Sequence, residues 1–214
     1  MNKLYRQKTI LIALAMLLLP LLAFALVNWW ENKYDRLPVL GPVTQIDGKA
    51  MTHYVHSFEL TNQDGQLFRS SVWQNKIVIV NFFFTRCGSI CPKMTKHLQS
   101  VANAFSADST IRIVSLTVDP DRDTPVVLQQ YAVAYTMDNR QWTLLTGNKK
   151  SIYRLARKDF FLTATDGDGG ENDFIHSDQL VLLDGHQQIR GYYSGVDDSQ
   201  VAQLIHDINK LRHE

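Results

Sequence analysis

The sequence predicts an α/β domain with a mixed sheet flanked by helices, preceded by one N-terminal transmembrane helix. Residues 10–27 contain no charged side chain, which is the pattern of a membrane span. From about residue 53 onward, apolar or alternating runs are interleaved with runs in which apolar residues recur every three to four positions. The last two predicted strands form an antiparallel hairpin, which makes the sheet mixed.

The N-terminal uncharged run, Ile10 to Val27, is 18 residues long, enough to cross about 30 Å of hydrocarbon. Trp29 and Trp30 follow it, at the level where aromatic rings lie among lipid headgroups. We therefore divide the chain into a short cytoplasmic tail (1–9), a transmembrane anchor (10–30), a tether (31–52) and the domain proper (53–214). The tether contains prolines and glycines without a sustained period.

A cleaved signal peptide is the alternative for this segment. Lys3, Arg6 and Lys8 precede the run, and Ala23-Phe24-Ala25 has the small-x-small pattern of a cleavage site. The apolar run continues past Ala25, which favours a retained anchor. The three cations orient the domain toward the periplasm, and no Arg-rich, Ser-rich transit peptide precedes them, so we expect a single-pass protein of a bacterial inner membrane.

The charge and cysteine counts narrow the function of the domain. Without the three tail cations, 19 of the 22 basic residues remain against 21 acidic ones, a formal charge of −2 with histidine neutral. No basic stripe is present, which argues against nucleic-acid binding. Two cysteines are too few for a disulfide framework, so we expect them to perform chemistry rather than hold the fold.

The first half of the domain contains a hairpin, a central strand and a helix. Residues 56–60 and 66–70 flank the turn Gln63-Asp64-Gly65. KIVIVNFFF, residues 76–84, is apolar on both faces and predicts a central strand. Pro92 suits the first position of a helix that runs to about Phe105, with its apolar residues on one face.

The second half continues the alternation. IRIVSLTV, residues 111–118, predicts a strand, and a helix follows at 125–136 with Asp123 or Thr124 as its cap. A short strand at 142–145 and a helix at 151–161 come next. Residues 179–183 and 188–193 form a hairpin across Asp184-Gly185, and a helix at 199–211 closes the chain.

Both cysteines lie in NFFFTRCGSICPKM, between the central strand and its helix, which is the arrangement of thioredoxin-like domains. Cys87 and Cys91 are four residues apart, with Cys91 near the predicted helix N-cap. Free backbone N–H groups and the helix dipole should lower the thiol pKa values there. The spacing leaves three roles open: a redox couple, a soft metal site such as one for Cu(I), or an inert disulfide.

Two further motifs change the balance between these roles. VDPDRDTP, residues 118–125, joins a strand to a helix, and by itself indicates only a helix cap with Arg122 paired to an acid. FIHSDQLVLLD, residues 174–184, places His176 just before a strand. The other histidines are interpreted as ordinary surface residues: His53, His56, His97, His186, His206 and His213.

Together, T-x-C-x-x-x-C-P, VDPxRDTP and a histidine before an antiparallel strand resemble the Sco/SenC family over about residues 57–211. The resemblance implies a membrane-tethered, thioredoxin-like copper chaperone that serves cytochrome c oxidase. It assigns Cys87, Cys91 and His176 as ligands of a copper ion, Cu(I) or Cu(II), and Asp119 as an acidic residue near the site. The partner it implies is a copper-receiving oxidase subunit or another copper protein.

The chain departs from the family pattern beside the ligands. Gly88 and Ser89 stand where many members have proline and aspartate, and Ile175 stands where an aspartate is frequent before the histidine. These changes affect the expected affinity, redox potential and partner recognition, but they remove no ligand. The loop at residues 165–173 is acidic, but it lacks the glycine and glutamate positions of an EF-hand, so we interpret it as a mobile loop rather than a calcium site.

The resulting hypothesis is a copper metallochaperone rather than an ordinary enzyme. Its rivals are a membrane-tethered thiol-disulfide reductase and a redox sensor, both using the Cys87/Cys91 pair without metal. No proline follows Pro125, so the cis-proline that faces the cysteines of typical thioredoxin-like oxidoreductases has no counterpart here. Only the copper hypothesis requires His176.

Overall fold

The computed structural model describes residues 3–34, 36–46, 48–162 and 177–214. The chain divides into two compact units, Met1–Arg36 and Leu37–Glu214.

The first unit contains one helix, α1 (Lys3–Tyr34), with Pro20 inside it. Its described side chains from residue 12 to 27 are exposed. No helix in the described ranges combines the length and the apolar character of a membrane span. The transmembrane anchor predicted at 10–30 is therefore not confirmed.

The second unit alternates strands and helices. The strands are β1 (Val43–Ile46), β2 (Lys49–Thr52), β3 (Glu59–Asn62), β4 (Leu67–Arg69), β5 (Ile77–Phe83), β6 (Ile111–Thr117), β7 (Trp142–Thr146), β8 (Gln179–Leu183) and β9 (Ile189–Ser194). The helices are α2 (Ile90–Ala104), α3 (Pro125–Ala134), α4 (Lys149–Arg154) and α5 (Asp198–Leu211). A 3₁₀ turn (Ser70–Trp73) follows β4, and a π-helical turn (Leu155–Asp159) extends α4.

Seven of the described strands form one mixed sheet in the order β4-β3-β7-β6-β5-β8-β9. β5, β6 and β7 are parallel neighbours, because helices α2 and α3 return the chain to the same end of the sheet. β8 pairs antiparallel with β5, and β9 with β8. The predicted mixed sheet flanked by helices is confirmed.

The central strand β5 is buried at all seven positions, as its continuous apolar run predicts. Ile77, Ile79 and Phe83 face a core formed with α2, α3 and α5. Val78, Val80 and Phe82 face a second core that includes side chains of α4 and its π-helical turn. Alternate residues of one strand therefore anchor helices on both faces of the sheet.

The small β1–β2 sheet was not predicted. It pairs Val43 with Thr52 and turns at Gly48, whose φ of +73° lies in the left-handed region that glycine adopts without strain. Two four-residue strands give too short a pattern to separate from a loop.

The start of the second unit is fastened by Arg190. Its guanidinium donates to the carbonyls of Leu37 and Pro38, at 2.6 and 3.2 Å, and pairs with Asp184 at 3.0 Å and with Glu214. The Arg190 side chain is 9% exposed. The buried Arg190 side chain therefore connects the first residues of the second unit with the β8–β9 turn and with the C-terminus.

Candidate metal and redox site

The cysteine pair lies where the central strand passes into its helix. β5 ends at Phe83, and α2 begins at Ile90 rather than at the predicted Pro92. Cys87 lies in the intervening loop, whereas Cys91 is the second residue of the helix. Pro92 is tolerated at the third position because the first backbone N–H groups of a helix have no intrahelical partner.

The loop wraps the backbone around the Cys87 sulfur. The Cys87 N–H donates to the Phe84 carbonyl at 3.2 Å, which closes a turn. The Cys91 N–H then points at the Cys87 Sγ, 3.4 Å away, and the Ser89 Oγ lies 3.7 Å from the same sulfur. Both cysteines are free thiols and buried. Two sulfurs are thus brought together within the core cluster on the α2 face.

Cys87 is the thiol that ionises more readily. Burial is the largest single influence and raises the pKa of Cys87, but four hydrogen bonds to its sulfur together outweigh burial. They come from the thiol and N–H of Cys91 and from the N–H and hydroxyl of Ser89, and they lower the pKa from 9.0 to about 7. Ser89 therefore stabilises the Cys87 thiolate.

Cys91 behaves in the opposite way. Burial is the largest cause that raises its pKa, to about 12, followed by the hydrogen bond between the Cys91 and Cys87 side chains. The negative charges of Cys87 and Asp123 add to this effect, and the Phe84 N–H only partly opposes it. The prediction that the helix entrance lowers the thiol pKa is wrong for Cys91, because burial and a neighbouring thiolate outweigh the helix terminus.

The VDPDRDTP loop follows β6, the parallel neighbour of β5, so it leaves the same edge of the sheet as the cysteine loop. Asp119 pairs with Arg122 at 3.2 Å, as predicted for that arginine, and its side chain is 14% exposed. Thr124 is the N-cap residue of α3 and Pro125 its first residue, but the Thr124 side chain donates and accepts no capping hydrogen bond. Asp119 is thus held in a salt bridge on the same edge.

Asp123 is a site residue that the sequence analysis missed. It was predicted as a possible helix cap, but its carboxylate instead accepts from the Thr85 N–H at 3.1 Å and the Thr85 hydroxyl at 2.5 Å. The Thr117 hydroxyl also donates to it, at 2.5 Å. Its position two residues before Pro125, where a helix is predicted to begin, is equally typical of a cap, so the sequence could not distinguish the two roles.

His176 and the predicted acidic loop lie outside the described residues. The chain is described again from Ser177, immediately before β8. The Asp178 carbonyl accepts from the Gly195 N–H at 2.7 Å. A Cβ placed on Gly195 would lie 3.0 Å from both that carbonyl and the Met94 Cγ. Asp178 therefore lies close to the beginning of α2, just beyond Cys91.

Three of the other histidines make specific long-range contacts, and two of them, His53 and His97, are partly buried. His97 is bonded through Nδ1 to the Gly195 carbonyl and through Nε2 to Asp198, and its side chain is only 18% exposed. The His53 Nε2 bonds the Asp159 backbone carbonyl at 2.8 Å. His56, although exposed, bonds the buried Asp159 carboxylate at 2.7 Å. Long-range contacts of this kind leave no pattern in the sequence.

Within the described part of the chain, no three His, Cys, Asp or Glu side chains are grouped so that they could hold a metal ion. The pair is equally suited to thiol chemistry, because one sulfur is readily ionised and the other is held protonated.

Comparison with known proteins agrees with this arrangement. The family model described as SCO1/SenC matches residues 46–213. A Bacillus subtilis (strain 168) protein named as a SCO1 homologue is 29% identical over 160 residues, which cover 74% of this chain and 82% of that protein. A Stutzerimonas stutzeri protein whose name describes it as copper-binding is 29% identical over 142 residues, 64% of this chain and 68% of its own.

A solved structure shows the same fold. The structure of BsSco, described with a disulfide switch and as a member of the Sco family of cytochrome c oxidase assembly proteins, superposes with a TM-score of 0.65. It is 28% identical, and the match covers 75% of this chain and 94% of that one. The thioredoxin-like architecture predicted from the cysteine loop is therefore shared with a solved relative.

Proposed function

The chain belongs to the SCO1/SenC family, and on that premise we propose that it binds a copper ion through Cys87, Cys91 and His176. Its role is to deliver copper to a respiratory cytochrome c oxidase, or to prepare the copper site of that enzyme. The observation that carries this proposal is the pair of buried sulfurs converging at the entrance of α2. Thiolates are the ligands that Cu(I) prefers, and Cu(I) accepts low coordination numbers.

The third donor is supported by the position of the chain next to His176. β8 runs antiparallel to β5, so the residues before Gln179 approach the end of β5 from which the cysteine loop leaves. Asp178 lies beside the beginning of α2, and two residues of extended chain span about 7 Å at most. The position of the described chain at Asp178 therefore supports an imidazole two positions earlier as the third donor.

The names of the relatives support cytochrome c oxidase as the protein that receives the copper. One relative is named as copper-binding, and another is described as a member of a cytochrome c oxidase assembly family. Copper is the cargo in this proposal, taken up by the two sulfurs and the imidazole and passed on by ligand exchange. Cu(I) suits the sulfur-rich set best, and the imidazole also allows Cu(II) to bind.

The test is a Cu(I) titration of the reduced full-length protein in detergent against a strong competing chelator. We expect His176→Ala to weaken binding by about tenfold or more, because the third donor is lost. His206→Ala, which removes an exposed histidine from α5, is the matched control and should bind like the wild type. Equal affinity of the wild type and His176→Ala contradicts the three-ligand site.

The different pKa values of the two thiols favour a second function, thiol-disulfide reduction. A Cys87 pKa of about 7 beside a Cys91 pKa of about 12 suits a reductase in which the Cys87 thiolate attacks a disulfide and Cys91 then resolves the mixed disulfide. Each turnover oxidises the two cysteines and reduces one target disulfide, and an external thiol must restore them. Disulfide reduction by His176→Ala at the wild-type rate, without tight copper binding by either protein, would favour this function.

The membrane anchor rests on the sequence alone. The uncharged run from Ile10 to Val27 is 18 residues long, and 18 residues in a helix would extend about 27 Å. We propose that residues 10–30 cross the inner membrane and that residues 53–214 face the periplasm. The full-length chain should remain in the membrane fraction after extraction at alkaline pH. Recovery of a soluble chain that lacks its first 25 residues would instead indicate a cleaved signal peptide.

A further inference from the structure

The Asp123 carboxylate connects the loop that carries Cys87 with the loop that carries Asp119. We propose that Asp123 is a positioning residue that fixes the Cys87 loop relative to Cys91 and so prepares the two sulfurs for a shared ligand. This inference rests on the proposed copper function and assigns a role to a residue that touches neither sulfur through a described hydrogen bond. It also assigns the VDPDRDTP motif, residues 118–125, a role at the cysteine site.

The carboxylate is buried and is satisfied by hydrogen bonds alone. Asp123 is 1% exposed, and it forms no salt bridge with any described residue. A buried charge without a cation is costly unless several donors point at it. Two threonines supply three such donors: the N–H and hydroxyl of Thr85 and the hydroxyl of Thr117. A carboxylate held in this way has little freedom to move.

The hydrogen bonds fix both the backbone and the rotamer of Thr85. The Thr85 N–H donates to one carboxylate oxygen and the Thr85 hydroxyl to the other. Thr85 is two residues before Cys87, whose own N–H closes the turn onto Phe84. The path of the chain from β5 to Cys87 is therefore set from one side by Asp123 and from the other by that turn.

Thr117 links the Asp123 carboxylate to the loop that carries Asp119. Its hydroxyl donates to Asp123, and its oxygen accepts the Asp119 N–H at 3.0 Å. The Asp123 N–H in turn donates to the Asp119 carbonyl at 2.8 Å. Loss of the carboxylate would release the Cys87 loop and free the Thr117 hydroxyl, although every candidate ligand and the backbone hydrogen bond from Asp123 to Asp119 would still be present.

Four variants distinguish the effect of the hydrogen bonds that hold the Cys87 loop from the effect of the Asp123 charge. Asp123→Ala removes all three hydrogen bonds. Asp123→Asn keeps an oxygen for the Thr85 N–H and offers its amide to the Thr85 hydroxyl oxygen, so it removes the charge while preserving the contacts. Thr85→Val removes only the hydroxyl, and Thr85→Ser is its conservative partner. Tyr193→Phe, which removes a buried hydrogen bond of 2.7 Å to Asp207, is the control for general stability.

The full-length reduced protein is tested for Cu(I) affinity and for thermal unfolding. We expect Asp123→Ala to lower the Cu(I) affinity by roughly ten- to a hundredfold, the usual effect of losing a residue that orients metal ligands. Thr85→Val should lower it less, whereas Asp123→Asn and Thr85→Ser stay within about threefold of the wild type. Tyr193→Phe should lower the unfolding temperature without changing the affinity.

A glutathione equilibrium provides a readout that does not depend on copper. The protein dithiol reacts with oxidised glutathione to give the protein disulfide and two molecules of reduced glutathione, so electrons and protons balance. A loosened loop lowers the effective concentration of one thiol at the other. We therefore expect a several-fold smaller equilibrium constant for Thr85→Val than for Thr85→Ser, even if Asp123→Ala does not fold.

The two proposals fail in different ways. If Thr85→Val and a folded Asp123→Ala bind Cu(I) like the wild type and share its glutathione equilibrium constant, while unfolding at lower temperature, the positioning role is overturned and the copper function stands. If the wild type binds Cu(I) weakly but Thr85→Val and Thr85→Ser still differ in the glutathione equilibrium, the copper function fails and the positioning role stands.

Discussion

Replacing Cys91 by serine isolates the Cys87 thiol and allows its pKa to be measured without disulfide formation. The serine hydroxyl and N–H can still donate to the Cys87 sulfur, as the Cys91 thiol and N–H do. We therefore expect the Cys87 pKa to stay near 7. At pH 8 a thiol of pKa 7 is about 90% thiolate, against about 10% for a thiol of pKa 9, a roughly tenfold difference.

The assay is the rate of alkylation by iodoacetamide as a function of pH, followed by mass spectrometry and normalised to its plateau. The thiolate is the reacting species, so the midpoint of the profile reports the pKa. Two further variants test the causes. Adding Ser89→Ala removes the weakest of the four hydrogen bonds, and Cys91→Ala in place of Cys91→Ser removes the strongest. The midpoint should rise slightly in the first and more in the second.

A midpoint at pH 9 or above for Cys91→Ser would refute this account, and so would a reversed order of the two further variants. The Cys87→Ser variant provides the control, because it leaves only Cys91, which is 4% exposed. Its remaining thiol should react slowly up to pH 9 in the folded protein and rapidly after unfolding in urea. Rapid reaction in the folded state would show that burial does not protect Cys91.

The remaining predictions concern copper affinity and stability. Because Cys87 is ionised above pH 7 and Cys91 is not, the logarithm of the Cu(I) affinity should rise with pH with a slope near 1 above pH 7. Below pH 7 the slope should be 2 or more, because binding then also releases the proton of Cys87 and that of a protonated His176 imidazole; a flat profile from pH 5 to 8 in chelator competition would contradict this. Arg190→Leu leaves two carboxylates and two carbonyls without their buried partner, which should lower the free energy of unfolding in urea by about 3–5 kcal/mol. A decrease below about 1 kcal/mol would show that the Arg190 contacts contribute little to stability. Gly191→Ala places a methyl against the Tyr193 hydroxyl and 2.6 Å from two carbons of the Tyr193 ring, which should lower the free energy of unfolding by about 1–3 kcal/mol. Gly88→Ala meets no atom within 4 Å and should change the unfolding free energy by less than about 0.5 kcal/mol.

Sequence patterns predicted those parts of the fold that depend on local periodicity. The continuous apolar run at 76–84 marks a strand that is buried on both faces, and β5 is buried at every position. The hairpin around Asp184-Gly185 and the helix that follows it are also local patterns, and both are present. The order of the seven strands was not predictable, because it depends on which strands meet after the chain has crossed the sheet.

The amino-acid sequence by itself determined the chemistry available to this protein: two cysteines four residues apart, placed between a central strand and its helix, and two further motifs typical of the Sco/SenC family. The tertiary structure alone decided how those groups behave. It buries Cys91 and raises its pKa while hydrogen bonds lower that of Cys87. It also directs Asp123 to Thr85 instead of to a helix N-terminus. Burial and hydrogen bonding between residues 38 positions apart arise only when the chain is folded, so no local pattern encodes them.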